Sequence, residues 1–147
     1  MNHVSGYRDY YPLDYVDREM SRAVAVDDVI GEYCRGRLDF EPGTRYSYSN
    51  TGYLILGRVV EKVSGLPLAE FMAGRIFSPL GMAHTFFEPD PTGEGFSCGY
   101  GSYYLCPPEQ VFPEGKGWVN AAGAIYSTPS DLIKWDEGLF GGKVLDA

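Results

Sequence analysis

Phe40-Glu41-Pro42-Gly43-Thr44-Arg45-Tyr46-Ser47-Tyr48-Ser49-Asn50-Thr51-Gly52-Tyr53-Leu54-Ile55-Leu56-Gly57 is the stretch that decides how this chain folds. Glu41-Pro42-Gly43-Thr44 reads as a turn, because Pro presets φ and Gly accepts the left-handed conformation. A helix is expected over about 51–64. Its apolar positions, Leu54, Ile55, Leu56, Val59, Val60 and Val63, cover most of the circumference, so the helix is expected to be largely buried. Gly65 ends it. Between turn and helix lies Tyr48-Ser49-Asn50, at a junction that exposes side chains while fixing their backbone.

Working outward, Pro67 fits the first position of a second helix over about 67–76, with Leu68, Phe71, Met72 and Ile76 inward. Ser78-Pro79-Leu80-Gly81-Met82 breaks it. Upstream, Val26, Val29, Ile30 and Tyr33 recur at helical spacing over 26–35, with Gly36 where a C′ residue belongs. Residues 14–24 carry a weaker helical pattern, and 1–13 read as irregular. Downstream, Thr85-Phe86-Phe87 is a short strand candidate, 88–95 a loop, 96–106 a weak strand region and 107–117 another loop. The last element is a helix over about 129–140. Thr128 is its N-cap, Pro129 stands at N1, Asp131 completes a capping box, and Leu132, Ile133, Trp135 and Leu139 form its apolar face. The expected fold class is one domain, mainly α, with a long irregular and partly β middle.

The 147 residues hold 12 Tyr, 8 Phe and 2 Trp, a composition that supports a packed core. A formal net charge of −8 and scattered Lys and Arg exclude a nucleic-acid partner, since phosphate binding needs clustered cations. No apolar run is long enough to span a bilayer, and Met1-Asn2-His3-Val4-Ser5-Gly6 has neither a basic nor an apolar leader segment. A cytoplasmic location is therefore expected for the chain as given, with Cys34, Cys98 and Cys106 reduced. Cys98 and Cys106 approach one another if their segment is a hairpin. The only histidines, His3 and His84, are far apart, and no cofactor loop or metal-ligand spacing occurs, so neither a metal nor a cofactor is expected. His3 is expected to fray and His84 to sit on the surface or cap a helix.

Tyr48 and Asn50 are the candidates for chemistry. A phenol serves as a base near pH 7 only if its pKa falls by ~3 units from ~10, a cost of ~4 kcal/mol. A helix N-terminus supplies only ~0.3–1 kcal/mol of that, so a nearby Lys must supply the rest. Asn50 offers an amide that both donates and accepts, suited to a substrate carbonyl or amide, and equally suited to capping the helix.

The stretch from Phe40 to Gly57 resembles the second motif block of the class C β-lactamase family, which includes penicillin-binding proteins, D-Ala-D-Ala peptidases and β-lactamase-like carboxylesterases. Further blocks resemble the same family in the same order. They are His3-Val4-Ser5-Gly6-Tyr7, Val63-Ser64-Gly65, Ile76-Phe77-Ser78-Pro79-Leu80-Gly81-Met82-Ala83-His84-Thr85-Phe86, Gly117-Trp118-Val119-Asn120-Ala121-Ala122-Gly123-Ala124-Ile125-Tyr126-Ser127-Thr128-Pro129-Ser130-Asp131-Leu132 and Gly141-Gly142-Lys143-Val144-Leu145. The resemblance implies the helical domain of the β-lactamase/transpeptidase-like fold, without its α/β sheet domain. It implies Tyr48 as the catalytic base position and Asn50 as its substrate-binding partner, with Trp118 and Gly123 close to the cleft. Trp118 and Trp135 read as core residues by burial tendency.

The family's nucleophile lies in a Ser-x-x-Lys motif, and no Ser in this chain is followed by Lys three residues later. Its Lys-Thr-Gly strand, which belongs after the last helix, is also not found, so the chain is expected to be a truncated piece of such an enzyme. Three functions follow as expectations. The first is a hydrolase fragment with little activity of its own. The second is a small esterase or β-lactamase using Ser47, Ser49 or Ser5 assisted by Tyr48, on an ester or β-lactam-like ligand. The third is a non-catalytic module that binds, dimerises or swaps domains through an exposed apolar cleft face.

Overall fold

The computed structural model describes residues 2–11, 18–90, 94–102, 106–111 and 113–144, and for Arg18 and Glu19 the backbone only. Among the described residues, four α-helices carry the fold: α1 (Val26–Tyr33), α2 (Asn50–Ser64), α3 (Leu68–Met72) and α4 (Pro129–Phe140). Two two-stranded antiparallel sheets join them. One pairs β1 (Phe86–Phe87) with β4 (Ile125–Tyr126), and the other pairs β2 (Gly99–Gly101) with β3 (Glu109–Val111). The architecture is α-rich with little sheet. Of the weak helical pattern at 14–24, residues 14–17 lie outside the described residues, and Arg18–Ser21 form a 3-10 turn.

The core gathers around α2. Leu54 is fully buried and packs with Tyr10, Met20 and Val29, while Val24, Val26, Ile30, Trp118 and Ala122 close the cluster. The expectation of an α2 buried nearly all round is corrected. Only Thr51, Leu54 and Gly57 are buried, whereas Val59 is 51% and Val63 83% exposed. The reason is that α1, α3 and the 3-10 turn Asn120–Ala122 all pack against one side of the helix. Gly57 makes that approach possible, since a Cβ there would stand 2.6 Å from the Cβ of Ala121.

Local departures from the expected elements have physical causes. Pro67 is extended, with φ −53° and ψ 143°, and precedes α3 as its N-cap; the helix then widens into a π-helical turn at Ala73–Phe77. The end of α1 is Cys34 rather than a residue next to Gly36. The supposed loop 107–117 contains β3. Cys98 precedes β2 and Cys106 precedes β3, which places the two thiols at opposite ends of an antiparallel pair; all three cysteines are free. On α4, Leu132 is 51% and Ile133 59% exposed, so its inward face is narrower than expected and runs through Asp131 and Gly138.

Asp131 corrects the expected capping box. Thr128 does cap α4, accepting the N–H of Asp131 at 3.2 Å. The Asp131 carboxylate does not reach back to the cap; it is fully buried. It accepts from the His84 N–H at 2.7 Å, the Thr85 hydroxyl at 3.0 Å and the Lys134 ammonium at 2.6 Å, and so ties the approach to β1 onto α4. The hydrogen bond from Lys134, aided by those from His84 and Thr85, holds this carboxyl below the usual carboxylate range despite its burial. A depressed folded-state pKa stabilises the fold above the unfolded value of about 4, and that stability is lost as pH falls through the folded one. Asp131→Asn is therefore expected to melt earlier than wild type at pH 7, with the gap closing in acid. Melting curves at both pH values check this, and a gap independent of pH refutes it.

Among the described residues no helix is long and apolar enough to cross a membrane, and no group of three His, Cys, Asp or Glu is placed to hold a metal ion.

Candidate active site

The site is built where the N-terminal strap crosses the start of α2. The strap is stitched to residues 39–51 by a row of hydrogen bonds. Asp39 N–H donates to Gly6 O at 2.9 Å, Gly43 N–H to Val4 O at 2.8 Å, Ser47 N–H to His3 O at 2.9 Å and Tyr10 N–H to Thr51 Oγ1 at 3.1 Å. Gly6 stands at φ +80°, and a Cβ there would lie 2.3 Å from the carbonyl oxygen of Phe40, so only glycine allows the strap to come this close.

Ser49, not Asn50, caps α2. Its backbone is extended, and its hydroxyl accepts the Gly52 N–H at 3.2 Å. Asn50 becomes the first helical residue and its side chain is freed for other work. Asp9 then fixes it: the Asp9 carboxylate accepts both the Asn50 N–H and the Asn50 Nδ2 group, each at 3.0 Å. With Nδ2 so committed, Oδ1 faces the other way and accepts from the Tyr48 hydroxyl at 3.3 Å. The result is a directed chain, Tyr48 to Asn50 to Asp9, in which each group's orientation is set by the next.

The Tyr48 ring is 54% exposed and stacks on the His3 imidazole, with centroids 4.3 Å apart at 25°. His3, expected to fray, is instead held at both its carbonyl and its Nδ1, which accepts the Ser49 N–H at 3.2 Å. Two other phenols lie nearby in the strap. Burial, reinforced by the Asp9 charge, pushes Tyr10 well above the ordinary phenol range. Burial, together with its hydrogen bond to Glu114, pushes Tyr11 up to about 12. Both stay protonated and donate, Tyr10 to the Trp118 carbonyl and Tyr11 to Glu114. Tyr48, exposed like Tyr46 before it, is the phenol bonded to Asn50.

The other sequence candidates fall in three places. Ser49 is 2% exposed, and its hydroxyl accepts the Gly52 N–H as the cap of α2. Ser47 is exposed beside Tyr48. Ser5 is half-buried, accepts the Tyr7 N–H at 3.4 Å and lines an apolar cleft of about 540 Å³ with His3, Gly52, Tyr53 and Ile55. Trp118 sits against the core cluster with its indole N–H on the Arg22 carbonyl at 2.8 Å. Gly123 is exposed and shares a cleft with Tyr53, Leu56 and Gly57. The structure thus brings Tyr48 and Asn50 together and adds Asp9 and His3. Trp118 meets that group through Tyr10, the neighbour of Asp9, and Gly123 through the cleft it shares with Tyr53. Sequence reasoning missed Asp9, because no local spacing links residues 41 positions apart.

A family model described as Beta-lactamase matches residues 1–147. Penicillin-binding protein 4* of Bacillus subtilis (strain 168) is 28% identical over 158 residues, covering 95% of this chain and 34% of its own length. The chain therefore spans about a third of that curated relative. D-amino acid amidase from Ochrobactrum anthropi SV3, solved in complex with L-phenylalanine, superposes with a TM-score of 0.77 at 29% identity, over 99% of this chain and 42% of that one. A penicillin-binding protein from Bacillus halodurans shares the fold with a TM-score of 0.80 at 23% identity, over 99% of this chain and 47% of that one.

Proposed function

This chain belongs to the beta-lactamase family, and we propose that its residues form the Tyr-x-Asn wall of a serine acyl-transfer site. In this reading the stretch is the mainly helical part of the β-lactamase/transpeptidase-like fold. The nucleophilic Ser and its Lys come from sequence other than these 147 residues, none of whose serines is followed by Lys at the required spacing. The substrate is an acyl compound of the kind the relatives' names indicate, a β-lactam, a D-amino acid amide or a D-alanyl peptide. Tyr48 moves the proton between nucleophile and leaving group, and Asn50 holds the substrate's carbonyl with the second Nδ2 hydrogen, the first being held by Asp9.

The observation that carries this is the directed chain from Tyr48 through Asn50 to Asp9. A capping residue needs no such support; a side chain that must meet a ligand in one orientation does.

Two preparations test it. The 147-residue chain, incubated with a fluorophosphonate or with benzylpenicillin, is expected to gain no mass. A chimera in which these residues replace the matching segment of penicillin-binding protein 4* is expected to be acylated by penicillin. A stoichiometric adduct on the chain alone, mapped to Ser47 or Ser5 and lost in Tyr48→Phe, overturns the reading in favour of a self-sufficient small hydrolase. A second reading, a module that binds or self-assembles without catalysis, draws on the exposure of Val63 at 83% and Phe140 at 86%. It is favoured if the chimera folds and is not acylated.

A further inference from the structure

We propose that His3 is a positioning residue for the Tyr48 phenol. The inference rests on the reading that Tyr48 is the reacting group, and deepens it. The residues on either side of Tyr48 are both bonded to His3. Ser47 donates its N–H to the His3 carbonyl at 2.9 Å, and Ser49 donates its N–H to His3 Nδ1 at 3.2 Å. One residue therefore brackets the backbone of Tyr48 from both sides. The same imidazole stacks on the Tyr48 ring at 4.3 Å and touches Tyr53 at 5.1 Å and Tyr46 at 5.9 Å between centroids. Backbone and ring of Tyr48 are fixed together, which leaves its hydroxyl the single direction that meets Asn50 Oδ1.

A second observation is independent of these contacts. His3 has φ +54°, in the left-handed region that non-glycine residues seldom occupy. Such a conformation persists only where its surroundings over-determine it, and it concentrates where geometry is functional. Here the contacts that over-determine it all converge on residues 46–53.

The test separates acceptor from ring. Tyr-ring and amide resonances are followed by NMR in the 147-residue chain, with melting temperature as the check on global fold. In His3→Ala the Tyr48 ring signals are expected to move and amide exchange at Ser49, which loses its Nδ1 acceptor, to rise about tenfold at little-changed melting temperature, while Ser47, bonded to the His3 backbone carbonyl, stays protected. His3→Asn, which carries an acceptor near the Nδ1 position and tolerates a left-handed backbone, is expected to restore protection at Ser49 but not the Tyr48 ring shift. His3→Phe is expected to do the reverse, and it decides the matter should His3→Ala fail to fold. Unmoved Tyr48 signals in folded His3→Ala, or full Ser49 protection in His3→Phe, overturn the proposal. None of these readouts needs turnover or a bound ligand, so they distinguish failure of this proposal from failure of the acylation test.

Discussion

Tyr48→Phe, made in an acyl-transfer enzyme that carries these residues, is expected to lower kcat by about 10²–10⁴-fold while KM stays within about threefold. The substitution is narrow. Phe keeps the ring on the His3 imidazole and leaves Asn50 on Asp9, so the wall retains its shape. What disappears is the hydroxyl alone, and with it the group proposed to take and return the proton. A proton relay acts in the transition state and not in the ground state, which is why the loss belongs in kcat. By transition-state arithmetic the fall corresponds to about 3–5 kcal/mol. The chimera with penicillin-binding protein 4* supplies the background, and steady-state kinetics on a chromogenic β-lactam reads the result. A loss of less than about tenfold would make Tyr48 a packing residue and return Asn50 to the role of a supported helix start.

Leu54→Ala is expected to destabilise the fold by about 2–5 kcal/mol, the range for emptying a fully buried aliphatic site. Leu54 is 0% exposed, and Tyr10, Met20 and Val29 converge on it from the strap, the 3-10 turn and α1. The melting temperature should fall by about 5–15 °C for a chain of this length. Val63→Ala on the same helix is the control. At 83% exposure its methyl groups face water, and a change within about 0.5 kcal/mol is expected. Equal losses at the two positions would mean that α2 is buried on both sides in solution, as its composition alone implies.

The sequence made much of this legible, for reasons that lie within a few residues. The turn at 41–44, the α2 stop at Gly65, the break at 78–82 and the Thr128 cap of α4 all came from residues whose own backbone preferences set the outcome. Tyr48 and Asn50 were visible because a turn, two aromatics and a helix start fall in one run. The errors have a common cause as well. The burial of α2 was overestimated because periodicity counts apolar residues and not the neighbours available to cover them. The capping box at Asp131 was a local inference defeated by a stronger distant partner, since Lys134, Thr85 and the His84 N–H together outweigh one cap bond.

The sequence by itself determined where the main helices lie, the Gly65 stop of α2, the Thr128 cap of α4, the break at 78–82, the family and the two side chains at the head of α2. Each of these is written in short-range pattern or in a run of contiguous motif. The tertiary structure alone decided what those side chains do. Asn50 is an oriented amide and not a cap because Asp9, 41 residues away, takes its backbone N–H and one Nδ2 hydrogen and Ser49 takes the capping work. His3 is a clamp and not a loose end because residues 46–53 close around it. A hydrogen bond or a stacked ring falls off within a few ångström, so its partners are set by where the chain returns in space, which local propensity does not encode.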